Sequence, residues 1–307
     1  MNTAVSNTAV VFAYHNVGAR CLQVLLDQGV KVLLVLTHED DPAEEIWFDS
    51  VAGLARQNGI EVITPEDANT SGMIDRLRQL APDFLFSFYY RRMLSPELLK
   101  AARRGAYNMH GSLLPKFRGR APVNWAIVKG ATETGATLHE MVEKPDAGRI
   151  IDQQAVPIGP DDTAIEVFHK VTAAAVTVLE RSLPGLIAGT AVLKIQDLTL
   201  GSYFSGRKPE DGRIDWSQPA RAIHDLVRAV APPYPGAFTD VAGTHMRILR
   251  TRMAGERAVR PGGPGLYCEG GAIYADCTDG VLELLQTEGG PDTSALGDKK
   301  ILFGQHS

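Results

Sequence analysis

Cysteine is scarce: Cys21, Cys268 and Cys277 are the three in a chain of 307 residues. Odd in number and without a CxxC pair, they exclude a disulfide framework and a thiolate zinc centre, and no metal site is read. Long hydrophobic runs are missing too. Stretches such as residues 32–36 fall far short of the roughly 20 residues a membrane-spanning helix needs. The N-terminus has no basic start leading into an apolar run, so no secretory leader is read. Charge of one sign is concentrated nowhere. Residues 1–200 carry 19 Lys/Arg and 23 Asp/Glu (19 − 23 = −4), and residues 201–307 carry 12 and 13 (12 − 13 = −1). A large nucleic-acid footprint needs a basic face and is disfavoured. The expectation is a soluble, cytoplasmic protein with no nucleic-acid or membrane partner; a homo-oligomer is left open.

Several well-known site patterns are absent as well. HNVGAR follows the first apolar run where GxGxxG would mark a dinucleotide site, and neither GxxxxGK[ST] nor HExxH occurs. Without GxSxG, a serine hydrolase has little support.

What is present is an alternation of apolar strands and amphipathic helices. Strands are expected at 9–14, 32–37, 62–63, 83–90 and 106–110, with helices at 17–28, 43–58 and 72–80 between them. This rhythm predicts a Rossmann-like, mostly parallel α/β sheet with helices on both faces. A helix near 122–130, strands near 135–142 and 149–158, and a long helix over 163–188 follow. Residues 189–208 read as a linker. Beyond it come a helix at 220–230 and five short strands punctuated by Gly and Pro, the pattern of a small β-barrel (OB-like). Two domains are expected, a catalytic one over 1–200 and the barrel over 201–307.

The densest chemistry lies in AYNMHGSLLPKFRGRAP, residues 106–122. A strand repeats every two residues, so Asn108 and His110 share a face, and ligands of parallel sheets bind beyond the carboxyl ends of the strands. Asn offers donor and acceptor, and an imidazole moves protons near neutral pH. Lys116, Arg118 and Arg120 could meet an anion. Further on, MVEKPDAGRI places Asp146 in a turn, where a carboxylate beside a histidine would fix its tautomer. From spacing alone, catalysis and unrelated surface groups remain equal readings. His15 and the Tyr89–Tyr90–Arg91 stretch stand at strand ends, where an acceptor pocket or simple packing is open to them. His139 reads as a core or edge residue.

"NMHGSLLPKFRGRAP" together with "ETGATLHEMVEKPDAG" resembles the folate-dependent formyltransferases, whose pattern is Asn-x-His before SLLP and a later Asp in a D-x-G turn. "EDGRIDW" and "PPYPGAF" extend the similarity along nearly the whole chain. The resemblance implies N10-formyltetrahydrofolate as co-substrate and an amine acceptor, with Asn108, His110 and Asp146 as the catalytic trio. It also implies folate contacts at Arg92, Met93, Leu94, Arg120, Val142, Glu143, Lys144, Pro145 and Asp146. "VFAYHNVG", "FSFYYR", "HGSLLPKFRGRAPVNW" and "GATLHEMVEKPDAG" together make the branch acting on UDP-4-amino-4-deoxy-L-arabinose, in lipid A modification and polymyxin resistance, the nearest in pattern. Methionyl-tRNA or another nucleotide-linked amino sugar is the alternative acceptor. A non-catalytic folate- or nucleotide-binding protein, or a hydrolase releasing formate, is the alternative in kind. That branch is often fused to a decarboxylating dehydrogenase; this chain stops at Ser307, so no oxidative activity is expected of it.

Overall fold

The structure is a computed structural model that describes residues 7–40, 42, 46–292 and 299–303. Contacts divide it into two compact units that interleave along the chain. The first comprises residues 1–119, 134–156 and 169–204, and the second 120–133, 157–168 and 205–307.

In the first unit, the apolar run TAVVFA forms β1 (Thr8–Ala13), followed by α1 (His15–Asp27) and β2 (Lys31–Leu36). Next come α2 (Val51–Gln57), β3 (Val62–Ile63), α3 (Ser71–Leu80) and β4 (Phe84–Phe88). The short α4 (Pro96–Leu99) leads to β5 (Gly105–His110), and a two-residue strand, β6 (Arg118–Gly119), follows. Beyond α5 (Pro122–Val128) of the second unit run β7 (Glu133–Glu140) and β8 (Ile150–Pro157). The long α6 (Ala164–Ala188) and another two-residue strand, β9 (Tyr203–Phe204), complete this part.

Among the described residues these strands make a seven-stranded sheet in the order β3-β2-β1-β4-β5-β7-β8. The first five pair in parallel, and β7 returns antiparallel to β5. Central strands covered on both faces read as continuous apolar runs, and Ala9 to Ala13 are fully buried. Val10 and Phe12 face a core with Leu34, Leu36, Leu77 and Leu98, thus under α3 and α4. Ala13, of opposite parity, meets Gly18 of α1. The sheet is mostly parallel with helices on both faces, as the alternation predicts.

Two local expectations change. The helix expected over 43–58 begins only at Val51, because the Ser50 hydroxyl accepts from Gly53 N–H and caps it there. Residues 43–45 lie outside the described residues. The 189–208 linker is no free tether: Lys194 bridges Ile150, and β9 pairs in parallel with β6. By length and composition α6 could cross a membrane, with mean hydropathy 1.3. Its buried positions, Val167, Val171, Ala174, Val178 and Leu183 among them, recur every three or four residues, as on a core helix.

The second unit carries α7 (Ala220–Ala229) and strands β10 (Ala237–Val241), β11 (Thr244–Met253) and β12 (Gly265–Glu269). β13 (Ala272–Asp276), β14 (Val281–Gly289) and β15 (Ile301–Leu302) complete it. Among the described residues they form an antiparallel sheet in the order β10-β11-β14-β13-β12-β15. Register irregularities in β11, between Ile248 and Thr251, bend it, and the result is a curled half-barrel. Ile223 and Val227 of α7 fill its concave side together with Trp216, Ile248 and Leu282.

Candidate active site

The alternation of β5 turns Asn108 and His110 to one face, and the antiparallel register sets His139 opposite Asn108 and Thr137 opposite His110. Beyond His110 the chain turns back on hydrogen bonds from neighbouring strands. Thr137 Oγ1 donates to Ser112 O at 2.6 Å and accepts from Leu114 N at 3.2 Å. Gln153 Nε2 donates to Thr137 Oγ1 and to Leu114 O, both at 2.8 Å. The hydroxyl's hydrogen-bonding capacity is thereby used up, which leaves the SLLP loop one seat.

That seat brings Phe117 O to 2.8 Å from His110 Nε2. Two residues on, Gly119 donates its N–H to Asp146 Oδ2 at 2.8 Å. Here only glycine fits: φ is +97°, and a Cβ would stand 2.1 Å from Phe204 O. Asp146 itself adopts φ 51°, a left-handed conformation aspartate tolerates better than most residues. Its Oδ1 lies 3.5 Å from His110 Nδ1 and 3.5 Å from His139 Nε2. Asn108 Nδ2 is 3.1 Å from the same His139 Nε2, whose Nδ1 faces Glu140 O at 2.8 Å.

Both rings are nearly inaccessible, at 6% for His110 and 2% for His139. Burial works to raise the Asp146 pKa, but the charge of His110 above all, with the Gly119 N–H, outweighs it and holds the carboxyl well below the usual range. The site therefore offers a permanent anion between two imidazoles, with an amide beside one of them. Such an arrangement can hold a proton at a defined nitrogen and present hydrogen-bond donors to a developing oxyanion.

Asn108, His110 and Asp146, expected as a trio, thus converge on one small volume, Asn108 through His139. The other expected residues are spread more widely. Met93 is 58% exposed, with its carbonyl accepting from Asn69 Nδ2, whereas Leu94 packs into the core under the sheet. Arg92 is exposed. Val142, Glu143 and Lys144 are exposed and Pro145 half-buried, on the segment leading to Asp146. Val142 and Glu143 line a cavity of about 230 Å³ with Leu99, Lys100, Ala106 and Met141. Arg120 belongs to the second unit, where its side chain lies against Gly206. Arg118 is buried, and its Nε has no hydrogen-bond partner among the described residues.

At the ends of β1, β2 and β4 an aromatic group surrounds His15 and His38. His15 stacks on Phe48 at 4.1 Å, His38 stacks on Tyr90 at 4.2 Å, and the Arg91 guanidinium covers Tyr14 at 4.6 Å. Burial first, then Arg91, lowers the His15 pKa to about 3 and that of His38 to about 4. Two residues at the centre of the site escaped sequence reasoning. His139 sits in an apolar alternation that reads as core; its signal was the pairing of β7 with β5, which periodicity alone does not give. Gln196 donates Nε2–H to Asp146 O at 3.1 Å and to Gly148 O at 2.5 Å, from within the expected linker.

The formyl transferase family model matches residues 7–183, and the model of the formyl transferase C-terminal domain matches residues 207–295. The chain belongs to the formyl transferase family. As a formyltransferase it also has solved structural relatives. An N-formyltransferase from Helicobacter canadensis, solved with folinic acid and dTDP-3-aminofucose, is 22% identical with a TM-score of 0.72, covering 92% of this chain and 100% of its own. WlaRD, a sugar 3N-formyl transferase solved in the presence of dTDP and 5-N-formyl-THF, is 21% identical with a TM-score of 0.72 (91% and 98% coverage). A 4-N formyltransferase from Francisella tularensis is 20% identical with a TM-score of 0.62 (76% and 91% coverage). At these identities the likeness is one of fold.

Proposed function

We propose that this formyltransferase moves the formyl group of N10-formyltetrahydrofolate to the amino group of a nucleotide-linked amino sugar. UDP-4-amino-4-deoxy-L-arabinose is the acceptor its motifs favour, which would place the enzyme in the cytoplasm in lipid A modification and polymyxin resistance. The observation that carries the reading is the 3.5 Å approach of the half-buried Asp146 carboxylate to His110, with Asn108 on the same face of the sheet as His110.

The amine nitrogen attacks the formyl carbon, the bond from that carbon to N10 breaks, and one proton passes from the amine to N10. In between, charge collects on the formyl oxygen. A positioned donor there is worth about 3 kcal/mol; the Asn108 amide is one, and the His110 imidazole becomes another once its Nε2–H leaves Phe117 O. Asp146 stays an anion and orients His110, which relays the proton. The exposed apolar side chains of Met93 and Val142 and the cavity beside Val142 offer the donor a surface.

The test supplies N10-formyltetrahydrofolate with UDP-4-amino-4-deoxy-L-arabinose, dTDP-linked 3- and 4-amino sugars, or methionyl-tRNA, and follows N-formylated product by mass spectrometry. Formylation of the UDP-sugar is expected. Turnover on methionyl-tRNA with none on any amino sugar would overturn the acceptor class, and formate release without an amine would replace transfer by hydrolysis.

A further inference from the structure

Two imidazoles meet one carboxylate oxygen at the same distance. His110 Nδ1 and His139 Nε2 each lie 3.5 Å from Asp146 Oδ1. In each ring the remaining nitrogen faces a main-chain carbonyl at 2.8 Å, Phe117 O for His110 Nε2 and Glu140 O for His139 Nδ1. A carbonyl only accepts, so both of those nitrogens carry a hydrogen. Each ring therefore presents to Asp146 the nitrogen whose hydrogen is optional. One proton placed there would balance the carboxylate, and the two rings compete for it.

Asn108 breaks the tie. Its Nδ2 stands 3.1 Å from His139 Nε2, and an amide NH2 only donates. His139 Nε2 must then be bare and the ring neutral, which leaves His110 Nδ1 as the position for the proton against Asp146. The same bond spends one of the two Asn108 N–H groups on His139 and holds the amide so that the second remains available. Were the amide reversed, its carbonyl would face His139 Nε2, and His139 would then need the proton that His110 otherwise holds against Asp146.

We infer that His139 is a positioning residue of formyl transfer: as a neutral hydrogen-bond acceptor it fixes the Asn108 amide as a donor and reserves the proton of the Asp146 cluster for His110. This rests on the reading of Asn108 as a donor to the formyl oxygen.

A double-mutant cycle tests it in the full-length enzyme. His139→Leu should lower kcat about 10- to 100-fold, somewhat less than loss of an oxyanion donor itself, while the KM for N10-formyltetrahydrofolate moves less than about threefold. His139→Gln, which restores an acceptor near Nε2, should recover to within about fivefold of wild type. In an Asn108→Ala background, His139→Leu should cost less than about twofold, because the two side chains act as one unit. An equal loss in both backgrounds would overturn the inference. A fully active Asn108→Ala enzyme would instead remove the reading of Asn108 beneath it. Independently of any variant's folding, ¹⁵N NMR of the unmutated protein at pH 7.5 should find His139 neutral and protonated at Nδ1. A ring protonated at Nε2, alone or with Nδ1, overturns the inference.

Discussion

The side-chain amide of Gln196 donates to the main-chain carbonyl of Asp146 at 3.1 Å and to that of Gly148 at 2.5 Å. One side chain thus clamps the turn that carries the Asp146 carboxylate. A left-handed non-glycine residue costs on the order of 1–3 kcal/mol unless its surroundings hold it there.

Removing the clamp frees Asp146 to relax. Gln196→Ala should cost about 1–3 kcal/mol of stability, one buried and one half-buried carbonyl losing their donor. Its kcat should fall roughly tenfold, a larger effect than on either KM. Urea unfolding and initial rates measure the two effects; an unchanged kcat would separate Gln196 from the catalytic geometry.

Gly119→Ala should be more damaging. The new Cβ would meet Phe204 O at 2.1 Å at a φ of +97°, breaking the β6–β9 pairing and displacing the N–H that holds Asp146. The expected cost is at least about 2 kcal/mol, with kcat down about 100-fold. A melting temperature and rate within error of wild type would contradict this picture of the loop.

Stability should weaken on mild acidification. His15 and His38 take up protons in the folded protein only near pH 3 and 4, but near 6.5 in the unfolded chain. Between those values the unfolded chain binds more protons, so stability falls as pH falls. The slope is at most about 1.4 kcal/mol per pH unit for each ring that is neutral when folded and charged when unfolded. The contribution of Asp146 has the depressed-carboxylate sign: full above the ordinary carboxylate pKa, it is lost as pH falls through the lowered folded value, below most of the histidine window. Urea midpoints should stay flat above pH 7, decline from about 6.5 towards 4, and decline less in His15→Asn. An identical decline in that variant would remove His15 as the cause.

Thiol chemistry should single out one cysteine. Burial raises the Cys21 thiol beyond the range where thiolate forms, and burial, then Asp279 and Asp276, pushes Cys277 up to about 12. Cys268 is partly exposed. With a chromogenic disulfide reagent at pH 8, the native protein should release one equivalent quickly and three after denaturation. Rapid release that survives Cys268→Ser would assign the reactive thiol wrongly.

Much of this was legible in the chain itself. The strand alternation of NMH requires Asn108 and His110 to share a face, and runs such as TAVVFA and FLFSF admit only buried strands, because period and apolarity are local properties. Absent fingerprints excluded whole chemistries, and the two long motifs spelled the formyltransferase family. What no local pattern contains is which distant atoms meet. His139 became a partner of Asn108 only through the antiparallel register of β7, and Gln196 reached Asp146 only because residues 189–204 return across the sheet. Hydrogen bonds between residues 30 to 50 positions apart are chosen by packing of the whole first unit. The sequence determined which groups the site contains; tertiary structure alone decided which of them meet.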